Sequence, residues 1–382
     1  GVYLLTVTRL LQFLAAVFQL CTGLRAAGHE VEAAVPKGSW VWLRLEEAGF
    51  VLHDFDFRAH YDLPALLRLL VLIKRQDYDL VHTHLVRAAF YGRLACRMSG
   101  TPLLSSVHDM LTWKNYPHDR QLIAVSEAVK GHLLARGFDA GRIKVVFPGA
   151  RDCSFGAGHG AAREATRRAL GLAPDERALF MIGRVAEVKG HDVALEAFRH
   201  LRNQAGRPLR LFFAGQETAW GAALHAAEAG SLATWLGRRD DVPQLLAAAD
   251  IVLQPSRSEG LPLALMEASS AGCALIASRV GGVPEVIADG VNGLLVPADD
   301  ASALAAAVQR LVDDRAVGVA VVRGVLAAHQ QRVVEAAGDE QAGERTQPGQ
   351  ATLVVVLVQR RVAKSGRRLP ADRRALVLAR AD

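Results

Sequence analysis

The sequence predicts an α/β protein with two doubly wound parallel sheets. Short β-branched runs alternate with longer helical stretches over most of the 382 residues, and both halves of the chain show this alternation. The runs are apolar throughout, as expected of strands that are covered by helices on both faces. A chain of this length can also bury two separate cores. We therefore predict two such domains in succession.

The first half contains seven strand candidates. They cover Val2–Val7, Val31–Val35, Val51–Asp54, Leu80–Thr83, Leu103–Val107, Leu122–Val125 and Lys144–Phe147. The clearest helical patterns between them are Leu63–Lys74 and Val86–Met98. Residues 2–24 are apolar enough to suggest a membrane span, but Arg9 and Gln12 interrupt them. Because a span needs about 20 nearly uncharged apolar residues, we interpret this segment as a strand, a turn and a helix.

The second half repeats the alternation of strands and helices. Its strands are predicted over Leu179–Ile182, Leu209–Ala214, Ile251–Gln254, Ala274–Ala277 and Gly293–Val296. Its helices are predicted over Asp192–Asn203, Ala219–Ala229, Pro262–Ala271 and Ser302–Asp313.

The predicted domains occupy residues 1–150 and 166–315. Residues 151–165, part of a Gly- and Ala-rich stretch, are predicted to be a linker. The character changes over 316–382, where 11 Lys or Arg stand against six Asp or Glu and no aromatic residue occurs. We expect this basic tail to be atypical and partly disordered.

Charge and cysteine content argue against several classes of function. The formal net charge is +6, and the tail accounts for most of it, so the body of the protein is not a basic nucleic-acid-binding surface. The four cysteines are scattered singly, without the spacing of a zinc site or a redox pair, which indicates reduced thiols in a cytoplasmic protein. No Gly-x-Gly-x-x-Gly follows a predicted strand, which disfavours a dinucleotide-dependent dehydrogenase.

The stretch EGLPLALME, residues 259–267, places two carboxylates around a helix start. Pro262 suits the first position of a helix, so the amides at the helix N-terminus, around Gly260 and Leu261, are expected to face the crevice and to suit a phosphate. Glu267 lies about 7.5 Å further along that helix, roughly the distance from the β-phosphate of a nucleotide to its ribose. Glu259 would lie beside the group attached to the phosphate. In isolation this spacing would indicate two exposed glutamates; the neighbouring motifs favour a ligand site.

Basic side chains follow two other segments of the second half. Arg184 and Lys189, in GRVAEVKG, come directly after a predicted strand, where they can neutralise a diphosphate. Arg238 lies in the turn that begins LGRRDDVPQLLAAADIVLQPS, and this turn is placed to frame a base.

Taken together, these stretches resemble the nucleotide-binding domain of a GT-B glycosyltransferase of the retaining family 4 type. The matching segments include LFFAGQE and VGGVPEVIADGVNGLLVPADD and run in order over residues 177–313. The resemblance implies two Rossmann-like domains facing a cleft. It also implies that Arg184 and Lys189 bind the donor diphosphate, that Glu267 binds the ribose, and that Glu259 with the following amides holds the sugar and the β-phosphate.

The first half resembles the same family through YDLVHTHLVRAAFYGRLAC, VHDM and IAVSEAVKGHLL. The resemblance makes His108, at the end of a predicted strand, an active-site residue. His84 is expected to meet substrate or to cap the next helix, although a metal pair with His82 is also conceivable. Ser126 is expected to cap a helix and to contact ligand through a polar group at most.

No metal and no cofactor is expected. Asp54-Phe55-Asp56 has the D-x-D spacing of a metal site in the other large glycosyltransferase fold, but it is interpreted as surface because nothing around it fits that fold.

The sequence thus predicts transfer of a sugar from a UDP- or GDP-linked donor to an acceptor hydroxyl, with retention, in polysaccharide, glycolipid or cell-surface glycan synthesis. Two alternatives stay open. One is an inactive nucleotide-binding relative, because no glycine occurs between Val2 and Thr22 and the tail is aberrant. The other is a sugar-nucleotide epimerase of the same fold. The segment Leu63–Arg75 is interpreted as a buried crossover helix, with a peripheral membrane contact of this cytoplasmic protein as the alternative.

Overall fold

The computed structural model describes residues 2–5, 11–56, 62–202, 208–228 and 232–313. It divides them into two units, with the boundary between Gly149 and Ala150. Residues 6–10, which belong to the glycine-free segment after the first strand, and the whole basic tail 316–382 lie outside these ranges.

The first unit has a parallel sheet in which the described strands follow the order β3-β2-β1-β4-β5-β6-β7. Its strands are β1 Val2–Leu5, β2 Glu32–Val35, β3 Val51–Asp54, β4 Val81–His84, β5 Leu103–Val107, β6 Gln121–Ala124 and β7 Ile143–Val145. The order reverses between β1 and β4, and ligands of doubly wound sheets bind at the carboxyl ends of the strands beside such a reversal.

Five described helices connect these strands. They are α1 Leu11–Ala26, α2 Trp40–Glu47, α3 Leu63–Gln76, α4 Val86–Ser99 and α5 Glu127–Leu134. Helix α5 begins after Ser126, whose Oγ accepts a hydrogen bond from the Val129 amide at 3.1 Å, so the predicted cap is confirmed.

Helix α3 is amphipathic in an unusual way. Its inner face packs Leu69, Leu70 and Ile73 into the core of the first unit. Its outer face carries a stripe of apolar residues spaced about one helical turn apart. The interpretation of α3 as a buried helix does not account for this stripe. The stripe is formed by Leu63, Leu67 and Val71, which are 63%, 49% and 47% exposed. Among the described residues, no helix is long and apolar enough to cross a membrane.

The second unit has a parallel sheet with the described order β10-β9-β8-β11-β12-β13. Its strands are β8 Arg177–Ile182, β9 Leu209–Ala214, β10 Ala233–Gly237, β11 Ile251–Gln254, β12 Ala274–Ser278 and β13 Leu294–Val296. The bounds predicted for β9 and β11 are confirmed. Strand β10 was not predicted, because this half-buried edge strand has a mixed composition and ends in a polar turn.

The helices of this unit are α6 His159–Ala169, α7 His191–Arg202, α8 Ala219–Glu228, α9 Val242–Ala248, α10 Leu263–Ser270 and α11 Ala301–Asp313. Helix α6 corrects the predicted linker, since residues 159–165 belong to it. Its alanines favour a helix despite the neighbouring glycines. Arg163 and Arg167 also anchor it by donating to Asp250 at 2.8 and 3.1 Å.

Candidate active site

The strand order of the second unit reverses between β8 and β11, which are paired in parallel. The crevice of a doubly wound sheet opens outside the carboxyl ends of the two strands at such a reversal. Arg184 and Lys189 follow β8, and Glu259 follows β11. The topology therefore places side chains from two separate sequence motifs at neighbouring positions.

Lys189 and Glu259 contact each other directly. The Nζ atom of Lys189 donates to Oε1 of Glu259 at 2.7 Å. The same oxygen accepts from Nε2 of Gln254 and from Oγ of Ser256, both at 2.6 Å, and only 7% of the Glu259 surface is exposed. Three donors on one oxygen fix the direction of this carboxylate. An anion that binds Lys189 would thus lie next to Glu259.

Arg257, which belongs to none of the roles assigned from sequence, ties the two loops together. Its guanidinium donates to both carboxylate oxygens of Asp192 at 3.1 and 2.7 Å, to Asp299 at 2.7 Å, and to the Glu187 carbonyl. Its backbone amide donates to the Val188 carbonyl at 2.8 Å. These bonds lie on both sides of Lys189 in the chain and hold its loop in place. The only sequence signal was an arginine in a polar loop, which resembles any solvated surface cation.

A glycine allows the same two loops to approach closely. Gly190 has a φ of +70°, and a Cβ atom there would lie 2.0 Å from the Pro255 carbonyl oxygen. Both the left-handed backbone and the contact exclude other residues. Packing against the β11 loop therefore requires glycine at position 190, next to Lys189.

Arg184 lies at the carboxyl end of β8, as predicted. Its Nε atom is buried and has no hydrogen-bond partner within the described part of the chain. A buried guanidinium N–H without an acceptor is costly. It is therefore suited to donate to an anion that enters the crevice.

Glu267 lies in α10, where burial changes the pKa of its carboxyl group. The side chain is 6% exposed, and this desolvation raises the pKa of its carboxyl group to about 6, opposed by the charge of Arg151. No group in the described ranges donates a hydrogen bond to its carboxylate. Such a carboxylate is an acceptor without donors, which fits the proposed role of accepting ribose hydroxyls.

Two details of this segment differ from the prediction. Helix α10 begins at Leu263, and Pro262 caps it rather than forming its first residue. The amides of Gly260 and Leu261 therefore lie in the loop before the helix instead of in its first turn. The Leu263 amide already donates to the Leu261 carbonyl at 3.1 Å, because the chain tightens before the regular helix starts.

Arg238 follows a strand that is paired with neither β8 nor β11. It follows β10, which is separated from β8 by β9. Its side chain is 47% exposed and lies 3.4 Å from Asp240. The sequence could not reveal the separation of β10 from β8, because local periodicity does not encode the order of strands within a sheet.

Three histidines cluster at the carboxyl ends of β4 and β5 in the first unit. His82 Nε2 lies 2.8 Å from Ser106 Oγ, and His84 Nδ1 lies 3.1 Å from Nε2 of His108. Burial lowers the pKa of His82 and of His108 to about 3 and holds that of His84 well below its ordinary value. All three rings are neutral at physiological pH.

This arrangement bears on two expectations for His84, the cap of the next helix and a metal pair with His82. His84 does not cap α4, because Leu85 occupies the cap position and no side chain bonds there. Within the described residues, no group of three or more His, Cys, Asp or Glu side chains is arranged to hold a metal ion. Asp54 and Asp56 are exposed, as the surface interpretation predicted.

Two family models match the chain. The model of glycosyl transferases group 1 matches residues 162–325, and the model of Glycosyltransferase Family 4 matches residues 15–151. The chain belongs to the family 4 type of glycosyltransferases. The two matches follow the two structural units in order and leave only a short interval between them.

Relatives and solved structures agree with this family. The chain is 29% identical over 307 residues to D-inositol 3-phosphate glycosyltransferase of Mycobacterium ulcerans (strain Agy99), a match over 70% of this chain and 64% of that protein. Against the Mycobacterium tuberculosis protein of the same name (strain ATCC 25177 / H37Ra), it is 30% identical over 302 residues, with 69% and 61% covered. The chain thus spans less than two thirds of the length of these relatives.

The structural matches establish the fold. Anabaena Alr3699/HepE in complex with UDP and glucose matches with a TM-score of 0.72 and 19% identity, over 88% of this chain and 98% of that chain. WaaG, a glycosyltransferase involved in lipopolysaccharide biosynthesis, matches with a TM-score of 0.69 and 18% identity, over 90% and 100%. This family member therefore has the GT-B fold of two Rossmann-like domains.

Proposed function

We propose that the protein transfers a sugar from a nucleotide-sugar to an acceptor hydroxyl. The observation that carries the proposal is the reversal point of the second sheet. There Lys189 is bonded to Glu259. Within the described part of the chain, Arg184 has a buried N–H without an acceptor, and Glu267 on the following helix is a buried carboxylate without donors. The two cations suit a diphosphate, Glu259 suits the sugar attached to it, and the Glu267 carboxylate suits the hydroxyls of a ribose.

Each group has a distinct role in this proposal. Arg184 and Lys189 bind the diphosphate and stabilise the negative charge that develops as the bond between the sugar carbon and the phosphate oxygen breaks. The nucleoside diphosphate leaves as the acceptor oxygen forms the new bond to the sugar carbon, and the proton of the acceptor hydroxyl passes to the leaving diphosphate. Glu259 and the amides of Gly260 and Leu261 hold the sugar and the β-phosphate, and Glu267 accepts from the ribose.

The donor is proposed to be UDP-linked, with GDP-linked sugars as the second choice, because the HepE structures contain UDP and UDP-glucose. Retention of configuration and an acceptor on a glycan or a lipid-linked molecule are proposed from family membership alone. In the first unit, His108 is proposed as the active-site histidine. Arg238 is proposed to meet the base when a nucleotide is bound.

A peripheral membrane contact is proposed for α3. Its exposed stripe of Leu63, Leu67 and Val71 is accompanied by exposed Arg68, Lys74 and Arg75 on the same helix. An apolar stripe beside cations suits a surface of anionic lipid, since the leucines enter the interface while the cations meet the headgroups. The contact would keep a cytoplasmic enzyme close to a lipid-linked acceptor.

The test of the donor site is Lys189→Ala. Loss of a charged hydrogen bond is worth about 1.5–3 kcal/mol, so UDP affinity should fall at least about tenfold. Uridine affinity should not change, because uridine has no phosphate. The matched control is Arg199→Ala, which removes an exposed cation that pairs with Glu196 on α7.

Calorimetric titration of UDP and uridine measures both affinities, and product analysis with UDP- and GDP-sugars measures turnover. Equal losses for UDP and uridine would indicate a folding defect and contradict the diphosphate role. Nucleotide binding without turnover of any donor would favour an inactive relative, and a new sugar-nucleotide formed without acceptor would favour an epimerase.

A further inference from the structure

The ends of β4 and β5 present their polar side chains in a regular ladder. His84 pairs with Ser106 in the strand register, and each histidine of β4 bonds to a β5 side chain two residues beyond its register partner. His82 thus meets Ser106, and His84 meets His108, the residue that follows β5. The rings of His82 and His84 lie 4.2 Å apart between centroids, and those of His84 and His108 lie 5.4 Å apart.

The bond between His84 and His108 constrains the protons of both rings. A neutral imidazole has one N–H donor and one acceptor nitrogen. If His84 Nδ1 donates to Nε2 of His108, then His108 carries its proton on Nδ1. If instead Nε2 of His108 donates, its Nδ1 is an acceptor. The direction of one hydrogen bond therefore decides whether Nδ1 of His108 is a donor or an acceptor.

We infer that His84 is a positioning residue that sets the ring orientation and tautomer of His108. His84 is 3% exposed, and its ring packs against the tilted ring of His82 at 4.2 Å between centroids, so it has little freedom to turn. Its Nδ1 contacts Nε2 of His108 at 3.1 Å, which fixes the His108 ring within the cluster. The inference rests on the proposed active-site role of His108 for its catalytic consequence, but not for the coupling between the two rings.

The decisive variants are His84→Phe and His84→Asn. Phenylalanine keeps a planar ring but has no nitrogen, so the bond to His108 is lost. Asparagine places an amide atom close to the position of Nδ1 and can restore the bond. The matched control is Thr83→Val, which removes the 2.8 Å hydrogen bond between Thr83 and Ser105 on the opposite face of the same strands.

The first measurement is side-chain ¹⁵N NMR of the full-length protein with labelled histidine, with the His108 signals assigned by their loss in His108→Ala. In His84→Phe, the His108 nitrogens should change from one dominant tautomer to a mixture, whereas Thr83→Val should leave them unchanged and His84→Asn should restore them. Unchanged His108 nitrogens in His84→Phe would overturn the inference, whatever the enzyme does.

The second measurement is turnover of a UDP-sugar together with UDP affinity. We expect His84→Phe to lower kcat at least about tenfold, since a misplaced active-site donor typically costs this much or more. His84→Asn should recover most of the loss, and UDP affinity should stay within twofold in all variants. A loss no larger than that of Thr83→Val would contradict the positioning role. If His108→Ala itself retains full turnover, the proposed role of His108 fails, while the NMR result still decides the coupling.

Discussion

Replacing Glu267 by glutamine should stabilise the protein while weakening nucleotide binding. The ordinary pKa of a glutamate is 4.5, and burial raises that of Glu267 to about 6. The folded protein therefore favours the protonated form more than the unfolded chain does. The stabilising contribution of Glu267 is full below pH 4.5 and is lost as the pH rises through about 6.

The magnitude follows from the difference between the two pKa values. A difference of about 1.5 corresponds to about 2 kcal/mol in the free energy of unfolding. Glutamine stays neutral at every pH, so Glu267→Gln should be more stable than the wild type by up to about 2 kcal/mol at pH 7.5 and equally stable at pH 4. For a domain of this size, that difference raises Tm by about 4–8 °C.

Thermal unfolding at pH 4, 6 and 7.5, followed by circular dichroism, measures this effect. UDP titration of the same variant should show an affinity lower by about 1–3 kcal/mol, because a charged acceptor for the ribose is lost. Wild-type UDP affinity should also fall as the pH is lowered through about 6, and it should fall more steeply than that of Glu267→Gln, because protonation of the terminal phosphate of UDP near this pH affects both proteins alike.

A buried glutamate with protein donors serves as the control. Glu228 is also 6% exposed, but its carboxylate accepts from the Trp235 indole at 2.8 Å and from the Leu232 amide. Glu228→Gln should therefore lower Tm at pH 7.5. If Glu267→Gln lowered Tm in the same way, the argument from desolvation would be wrong, and unchanged UDP affinity would refute the ribose role.

Two further predictions concern the loop clamp and the membrane contact. Arg257→Leu should lower UDP affinity about fivefold or more without changing uridine affinity, because the Lys189 loop loses the bonds to Asp192 that hold it. Arg257→Lys should recover part of the loss, and equal titrations of all three proteins would exclude the clamp. Replacing the exposed α3 stripe (Leu63, Leu67 and Val71) by serine should abolish co-sedimentation with vesicles rich in phosphatidylglycerol but leave turnover of a water-soluble acceptor unchanged. Binding that is equal with phosphatidylcholine vesicles would rule out charge complementarity.

Local pattern in the chain was sufficient for the fold class and for most strands. An apolar run between two helices has one stable place, inside a parallel sheet, so the bounds of β5, β9 and β11 could be predicted from the residues alone. Short motifs also indicated the candidate site, because Arg184, Lys189 and Glu259 follow strands and Glu267 lies in the helix that comes after Glu259. The pattern failed for α6, where glycines concealed a helix that is anchored by contacts remote in sequence.

The contacts between the site residues depend on packing between segments that are far apart in sequence. Lys189 and Glu259 are 70 positions apart, and Arg257 and Asp192 are 65 apart, and they meet because β11 lies next to β8 rather than next to β10. The same holds for His84 and His108, which are joined by the pairing of β4 with β5. Strand order is set by how helices cover the sheet, and burial of Glu267 follows from that packing. Local periodicity encodes neither the strand order nor the burial of Glu267. The raised pKa of Glu267 and the contact between His84 and His108 could therefore be seen only in the tertiary structure.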